Sequence, residues 1–310
     1  MKANRLGWFL LFLLGIAGFQ LPAQQTEADR KLLLADIRAK AEKGDAKSQW
    51  VLGNAFELGF LGVAKDYVEA AKWYRRAAEQ GFAMAQNDLG VCYRNGEGVT
   101  RDAVEAAKWF RKAAEQGDAE AQFNLGHCYR TGAGVTKDAL QAAKWYRKAA
   151  EQGLAKAQFS LAGCYHEGEG VAKDMVEAVK WYRRAAEQGF AMAQYNLGAC
   201  YFKGEGVARD AVEGAKWYRQ AAKQGDATAQ YYLGACYVQG EGVAKDYVEA
   251  HKWFSLAGHQ GVENAKTNLF LVEKEMTTEQ IAEAQRLARE FKPHKTPEPG
   301  AFPLRQRAKL

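Results

Sequence analysis

One spacing constrains this chain more than any other feature. Trp73, Trp109, Trp145, Trp181, Trp217 and Trp253 follow one another at steps of 36 residues, and Cys92, Cys128, Cys164, Cys200 and Cys236 keep the same step. A period of that length marks a repeat architecture, in which one supersecondary unit is copied and stacked on itself. Repeats open at Gly44, Gly81, Gly117, Gly153, Gly189 and Gly225, and Gly261 begins a degenerate closing repeat. The first repeat is one residue longer. Its extra residue falls in Leu58-Gly59-Phe60-Leu61-Gly62, where the next repeat reads Asn95-Gly96-Glu97-Gly98. An insertion confined to a loop leaves the flanking helices in register.

Each repeat reads as two amphipathic helices around a glycine turn. In residues 117–152, Ala121, Leu125, Cys128 and Tyr129 recur at i, i+4, i+7 and i+8, one face of a helix. Gly132 supplies the left-handed residue that ends this helix, and Gly134-Val135 continues the turn. Asp138 with Gln141 opens the second helix; the other full repeats carry Asp with Glu there, as in Asp66 with Glu69, a pattern that predicts reciprocal capping boxes. Ala142, Trp145, Tyr146, Ala149 and Ala150 form the expected buried stripe of the second helix. A lone helix pair cannot bury both faces, so each repeat must stack on its neighbours.

The predicted organisation is a leader over 1–23, a capping helix within 24–43, and six repeats over 44–80, 81–116, 117–152, 153–188, 189–224 and 225–260. Capping helices over 261–291 and a disordered basic tail over 292–310 complete it. The leader reading rests on Lys2 and Arg5 ahead of an uncharged run from Leu6 to Phe19, closed by Leu21-Pro22-Ala23. It predicts export to the periplasm or the medium, with tethering by an uncleaved N-terminal segment as the alternative, and no integral membrane span in the mature chain. The formal net charge of +6 lies at the two ends: once the leader and the tail are set aside, cations and anions balance. Nucleic-acid binding needs clustered cations, so it is not expected.

The string AQFNLGHCYRTGAGVTKDALQAAKWYRKAAEQG, Ala121 to Gly153, strongly resembles the Sel-one-like repeat family, a relative of the tetratricopeptide repeats. The turn Gly-x-Gly-Val-x-x-Asp and the second-helix motif Ala-x-Lys-Trp-Tyr/Phe carry the likeness over residues 44 to 260. The resemblance implies an all-α, right-handed α/α superhelical solenoid of paired antiparallel helices that acts as an adaptor or scaffold, here a monomer. Cysteine-rich bacterial members of that family bridge their helices by disulfides. This chain has one Cys per repeat and no second-helix partner for it, so neither the bridges nor any activity of that subgroup is carried over.

Chemistry-bearing patterns are scarce. Equivalent cysteines on stacked repeats stand farther apart than the ~7 Å bridging limit, and Ala55 takes the cysteine position in the first repeat, as suits a small core filler. His127, His166, His251, His259 and His294 follow no ligand spacing, so no metal is expected. The Gly168-Glu169-Gly170 turn follows no strand and has Asp at the next helix start, where a phosphate would sit. The recurring carboxylates read as caps or solvated positions. The chain therefore reads as non-enzymatic, without a cofactor.

Packing demands sameness between repeats, whereas recognition demands difference. The arc of the first helix opposite the shared face varies most, and the resemblance to tetratricopeptide domains places that arc in the concave groove. The candidate partner-binding residues there are Asn87 and Arg94; Glu120, Phe123, His127 and Arg130; Lys156, Phe159 and His166; Met192, Tyr195 and Phe202; and Tyr231. Aromatics suit a buried peptide, and Arg94 and Arg130 suit carboxylates. The expected partner is a protein or peptide. The alternative is a cell-wall-associated protein that binds peptidoglycan or another glycan, with the aromatics as sugar platforms.

Overall fold

The computed structural model describes residues 27–294; the leader over 1–23 and the tail beyond His294 lie outside the described residues. Among these residues the chain forms fifteen α-helices and no strand. It divides into two compact units, residues 27–152 and residues 153–294. The first unit holds α1 (Glu27–Glu42), α2 (Ala46–Leu58), α3 (Tyr67–Glu79), α4 (Ala83–Asn95), α5 (Ala103–Glu115), α6 (Ala119–Thr131) and α7 (Ala139–Glu151). The second holds α8 (Ala155–Glu167), α9 (Met175–Glu187), α10 (Ala191–Lys203), α11 (Ala211–Lys223), α12 (Ala227–Gln239), α13 (Tyr247–His259), α14 (Glu263–Glu273) and α15 (Thr278–Glu290). Within each unit consecutive helices pack in sequence, which is the stacking of a helical solenoid, save that α15 packs back on α13.

Two glycines show why the repeat has its sequence. Gly126 lies in the middle of α6, where a Cβ would come 2.8 Å from the Tyr146 ring, so only glycine lets the two helices of that repeat approach. Gly134, at φ 72°, sits in the turn with the carbonyl of Ala103 where its Cβ would be, so the turn of one repeat seats directly on the second helix of the repeat before it. The first-helix ends follow the expected pattern: Gly96, Gly132, Gly168, Gly204 and Gly240 are all left-handed and donate their N–H to the Cys carbonyl four residues back.

The second-helix N-termini depart from the expected capping box. Asp66, Asp102, Asp174, Asp210 and Asp246 accept from the backbone N–H of the Glu three residues on. That Glu side chain does not reach back. Glu69, Glu105, Glu177, Glu213 and Glu249 accept instead from Lys72, Lys108, Lys180, Lys216 and Lys252, one turn further along. A lysine at i+3 offers a charged donor on the exposed helix surface, which outcompetes the neutral N-cap amide. Both halves of a capping box are made at Thr277 and Gln280, where α15 begins.

The core also differs from the expected stripe at one position. Trp145 is only half-buried, with Lys148 Nζ 4.2 Å over its ring, while its neighbour Tyr146 is 1% exposed. Tyr74 and Phe110, at the position of Tyr146, are wholly buried. The residue after the Trp thus faces the first-helix glycine in every repeat but 153–188, where Ala162 takes the glycine's place. All five cysteines are free and buried, and burial pushes the thiols of Cys92 and Cys236 up to about 12.

A polar ladder, unassigned in the sequence, joins the two helices of each repeat and reaches back to the second helix before it. Gln80 Nε2 donates to Gln49 Oε1 at 2.7 Å, Gln116 to Gln86 at 2.7 Å, and Gln152 to Gln122 at 2.8 Å. In the second unit Gln188 donates to Gln158, Gln224 to Gln194 and Gln260 to Gln230, at 2.7 to 2.8 Å. The buried acceptors Gln49, Gln86, Gln122, Gln194 and Gln230 turn their own amide onto a backbone carbonyl eight residues back. A buried amide satisfied at both ends specifies register at little net cost, and one left open would destabilise the stack.

Candidate functional site

The variable first-helix residues do not all stand open. In the first unit they build a polar surface. Trp50 Nε1 donates to Asp88 Oδ2 at 2.7 Å, Asn124 Nδ2 donates to Asn87 Oδ1 at 2.9 Å, and Arg94 Nη1 donates to Asn124 Oδ1 at 2.9 Å. Asn87, expected on the open arc, is 4% exposed and serves as the inner end of this relay. Arg130 Nε donates to the Tyr146 hydroxyl at 3.3 Å, and its Nη2 lies 3.3 Å from His127 Nδ1.

Both arginines therefore bond to neutral partners, and neither pairs with a carboxylate among the described residues. Burial lowers the His127 pKa from its ordinary value, and the charges of Arg130 and Arg94 lower it further, so the imidazole is neutral at pH 7. An acid group stands at the far end of the same surface. Burial raises the Glu57 carboxyl, partly offset by the hydrogen bond it accepts from Tyr74.

Phe123 lies 5.6 Å from Tyr146, ring centre to ring centre, and so fills the space over the second helix of its own repeat while staying half-exposed. The same position repeats in the second unit. Phe159 packs on Tyr182 and Phe190 at 5.8 and 5.2 Å, Tyr195 stacks on Tyr218 at 5.7 Å, and Tyr231 tilts against Phe254 at 5.7 Å. Phe202 stacks on the other side of the set, 5.1 Å from Tyr218, and His166 meets Tyr182 edge-on at 6.3 Å. Tyr232 joins this cluster, 5.6 Å from Tyr218, and is still 40% exposed, and Met192 on the same helix as Tyr195 is 49% exposed. A hollow of about 210 Å³ between Val238, Phe254, Asn268 and Leu271 continues the apolar surface toward α14. Glu120 and Lys156 are half-buried, each with a partner of its own.

Sequence reasoning placed these residues on one open arc by angular projection; the structure buries Asn87 and rests Phe123, Phe159, Tyr195 and Tyr231 on second-helix rings. The projection missed Asp88, Asn124 and Tyr232, which lie at one shared position of the repeat, next to the Phe123 position. A signal was present: this position reads Asp88, Asn124, Ser160, Asn196 and Tyr232, as variable as its neighbour. No cluster of three or more metal-binding side chains occurs among the described residues, and no described helix is long and apolar enough to cross a membrane.

Comparison with known proteins accords with this geometry. The Sel1 repeat model matches residues 46–82, 83–118, 119–154, 155–190, 191–226 and 227–262. A protective antigen present in uropathogenic Escherichia coli strains, displaying an SLR fold, is 36% identical, with a TM-score of 0.75, over 89% of this chain and 64% of its own. The chain thus spans less than two thirds of that antigen's length. A Sel1 repeat protein from Oxalobacter formigenes is 37% identical, with a TM-score of 0.68, over 74% of this chain and 94% of its own. Comparison with curated proteins finds no significant match. The repeat length, the paired helices stacked through their glycine turns, and six consecutive family matches agree: this chain belongs to the Sel1 repeat family.

Proposed function

We propose that this chain is an exported, non-enzymatic adaptor that holds a peptide or protein segment against its first-helix face. The observation that carries the reading is the pair Arg94 and Arg130. Two guanidinium groups stand on successive first helices, preset by neutral acceptors and left without a carboxylate. Arginines held this way are oriented in advance, keep further N–H groups for an incoming acid side chain, and lose little entropy in meeting it. Met192 and Tyr232 add exposed apolar anchors in the second unit. Aromatic rings on this face stack on one another, which favours a peptide lying across them over a sugar needing a bare ring.

Export rests on the leader pattern of residues 1–23, and the likeness to a protective antigen of Escherichia coli supports it, since such an antigen must be reached by the immune system. Photo-crosslinking tests the reading. A benzophenone amino acid is placed at Met192, and separately at the exposed second-helix position Lys144, in the full chain made in its native host. The expected result is one protein crosslinked strongly from Met192 and absent from Lys144. Equal patterns from both sites would refute a dedicated first-helix face.

A further inference from the structure

The second helices hold their tryptophans in a repeated setting. Arg76 lies 4.4 Å over the ring of Trp73, Lys112 4.1 Å over Trp109, Lys148 4.2 Å over Trp145 and Arg184 4.3 Å over Trp181. In each pair the cation comes three residues after the tryptophan, on the next helical turn. Trp253 has Leu256 three places on and takes Lys252 over its ring at 4.5 Å instead, and Trp217 has no such cover. The residue three places on is Gln220, and among the described residues no cation covers this ring.

A second departure occurs at the same place. After α15 the chain turns back over α11: Phe291 meets Trp253 edge-on at 5.4 Å, Pro293 lies beside Gly225, and the His294 N–H donates to the Lys223 carbonyl at 2.9 Å. The first residues of the expected tail are therefore a wall. Together the uncovered ring and the returning chain bound a pocket of about 430 Å³, whose lining includes Glu187, Gln194, Trp217, Gln220, Lys223 and His294. That volume falls within the ~300–1,000 Å³ of small-molecule sites.

We propose that this pocket binds a pyranose sugar, with one face of the sugar ring against Trp217 and its hydroxyls shared among Glu187, Gln220 and Lys223. The side chains fit that chemistry. An indole face packs against the C–H face of a pyranose, while sugar hydroxyls both donate and accept. Glu187 offers only acceptors, Lys223 only donors, and Gln220 both, and none of the three is engaged by another described side chain. Gln194 is held in the polar ladder and supplies a fixed wall. A free cation would meet the Lys223 ammonium and a free anion the Glu187 carboxylate, so the opposed charges favour a neutral polyhydroxyl ligand. None of the first-helix candidate residues lines this pocket, so the proposal stands apart from the peptide reading.

The test uses calorimetry and saturation-transfer NMR on the full chain with N-acetylglucosamine, cellobiose and methyl mannoside, and with arginine methyl ester as a cation probe. At least one sugar is expected to bind saturably. Gln220→Lys installs the cation that covers the sister tryptophans, leaves the melting curve unchanged, and weakens sugar binding by about tenfold or more. Glu187→Gln weakens it by a smaller factor. The proposal is overturned if none of the sugars saturates the folded protein, if Gln220→Lys binds them as well as the parent, or if only the cation probe binds.

Discussion

The two units share one frame and carry different faces. In the first, Gln116 meets Gln86 at 2.7 Å; in the second, Gln224 meets Gln194 at the same distance. Tyr146 and Tyr218 take the same buried position beside Gly126 and Gly198. Over that frame the first unit carries Asp88, Asn87, Asn124 and Arg94 in a hydrogen-bonded relay with Arg130 on Tyr146 beside it, and the second carries Tyr195, Phe202 and Tyr232 stacked about Tyr218 with Phe159 on Tyr182 and Phe190. The comparison teaches that the residues holding the repeat together and those facing outward are separable on one short helix. Gly, Leu, Gln and Cys at fixed steps set the backbone, and the intervening turn surface is free to vary.

The largest expected effect tests the shared frame. Tyr146→Ala and Tyr218→Ala each remove a buried ring and should cost roughly 3–5 kcal/mol by urea unfolding, similar in both units. Trp145→Ala should cost clearly less, since that ring is only half-buried under Lys148. If Trp145 proves the costlier change, the assignment of the core residue is wrong.

Next comes the ladder. Gln122→Ala and Gln194→Ala take a donor from the carbonyls of Ala114 and Ala186 and an acceptor from the amides of Gln152 and Gln224, and each should cost about 1–3 kcal/mol. Equal losses in the two units would show that the frame is indifferent to the face it carries. A neutral result in either would show that water replaces the amide.

Much of this frame was legible from the residues alone. The 36-residue step, the helix pairs and the left-handed glycines follow from periodicity and backbone sterics, which act locally. The ladder was not legible, although Gln86, Gln122, Gln158, Gln194 and Gln230 recur as regularly as the cysteines. A polar residue on a shared face looks solvated until its partner 30 residues away is placed. The order of burial in Trp145-Tyr146 was hidden for a similar reason. Adjacent residues both border the apolar stripe in projection, and the close approach at Gly126 decides which one turns inward. The candidate site was less legible: projection proposes an arc of the first helix, but it could not show that Asn87 is buried or that Phe123 and Tyr195 rest on second-helix rings.

The smallest expected effect sharpens the contrast in charge. The His127 pKa is lowered in the fold by burial, then by Arg130 and Arg94, so the unfolded chain takes up a proton first as pH falls below the ordinary 6.5. Stability is complete above that value and declines as pH falls toward the lower folded pKa. The loss is well under that of the ladder variants, because the ring is half-exposed. His127→Gln should flatten this decline between pH 6.5 and 5 in thermal melts.

The central claim, that frame and face are separable, is tested most directly by the double variant Arg94→Gln with Arg130→Gln, measured for urea stability and for affinity toward the crosslinked partner at low and physiological salt. The account predicts a stability loss of no more than about 1–2 kcal/mol, from the hydrogen bonds to Asn124 and Tyr146, together with a loss of affinity that is larger at low salt. A fall in stability of several kcal/mol with affinity per folded molecule unchanged would contradict it, and would place the two arginines in the frame.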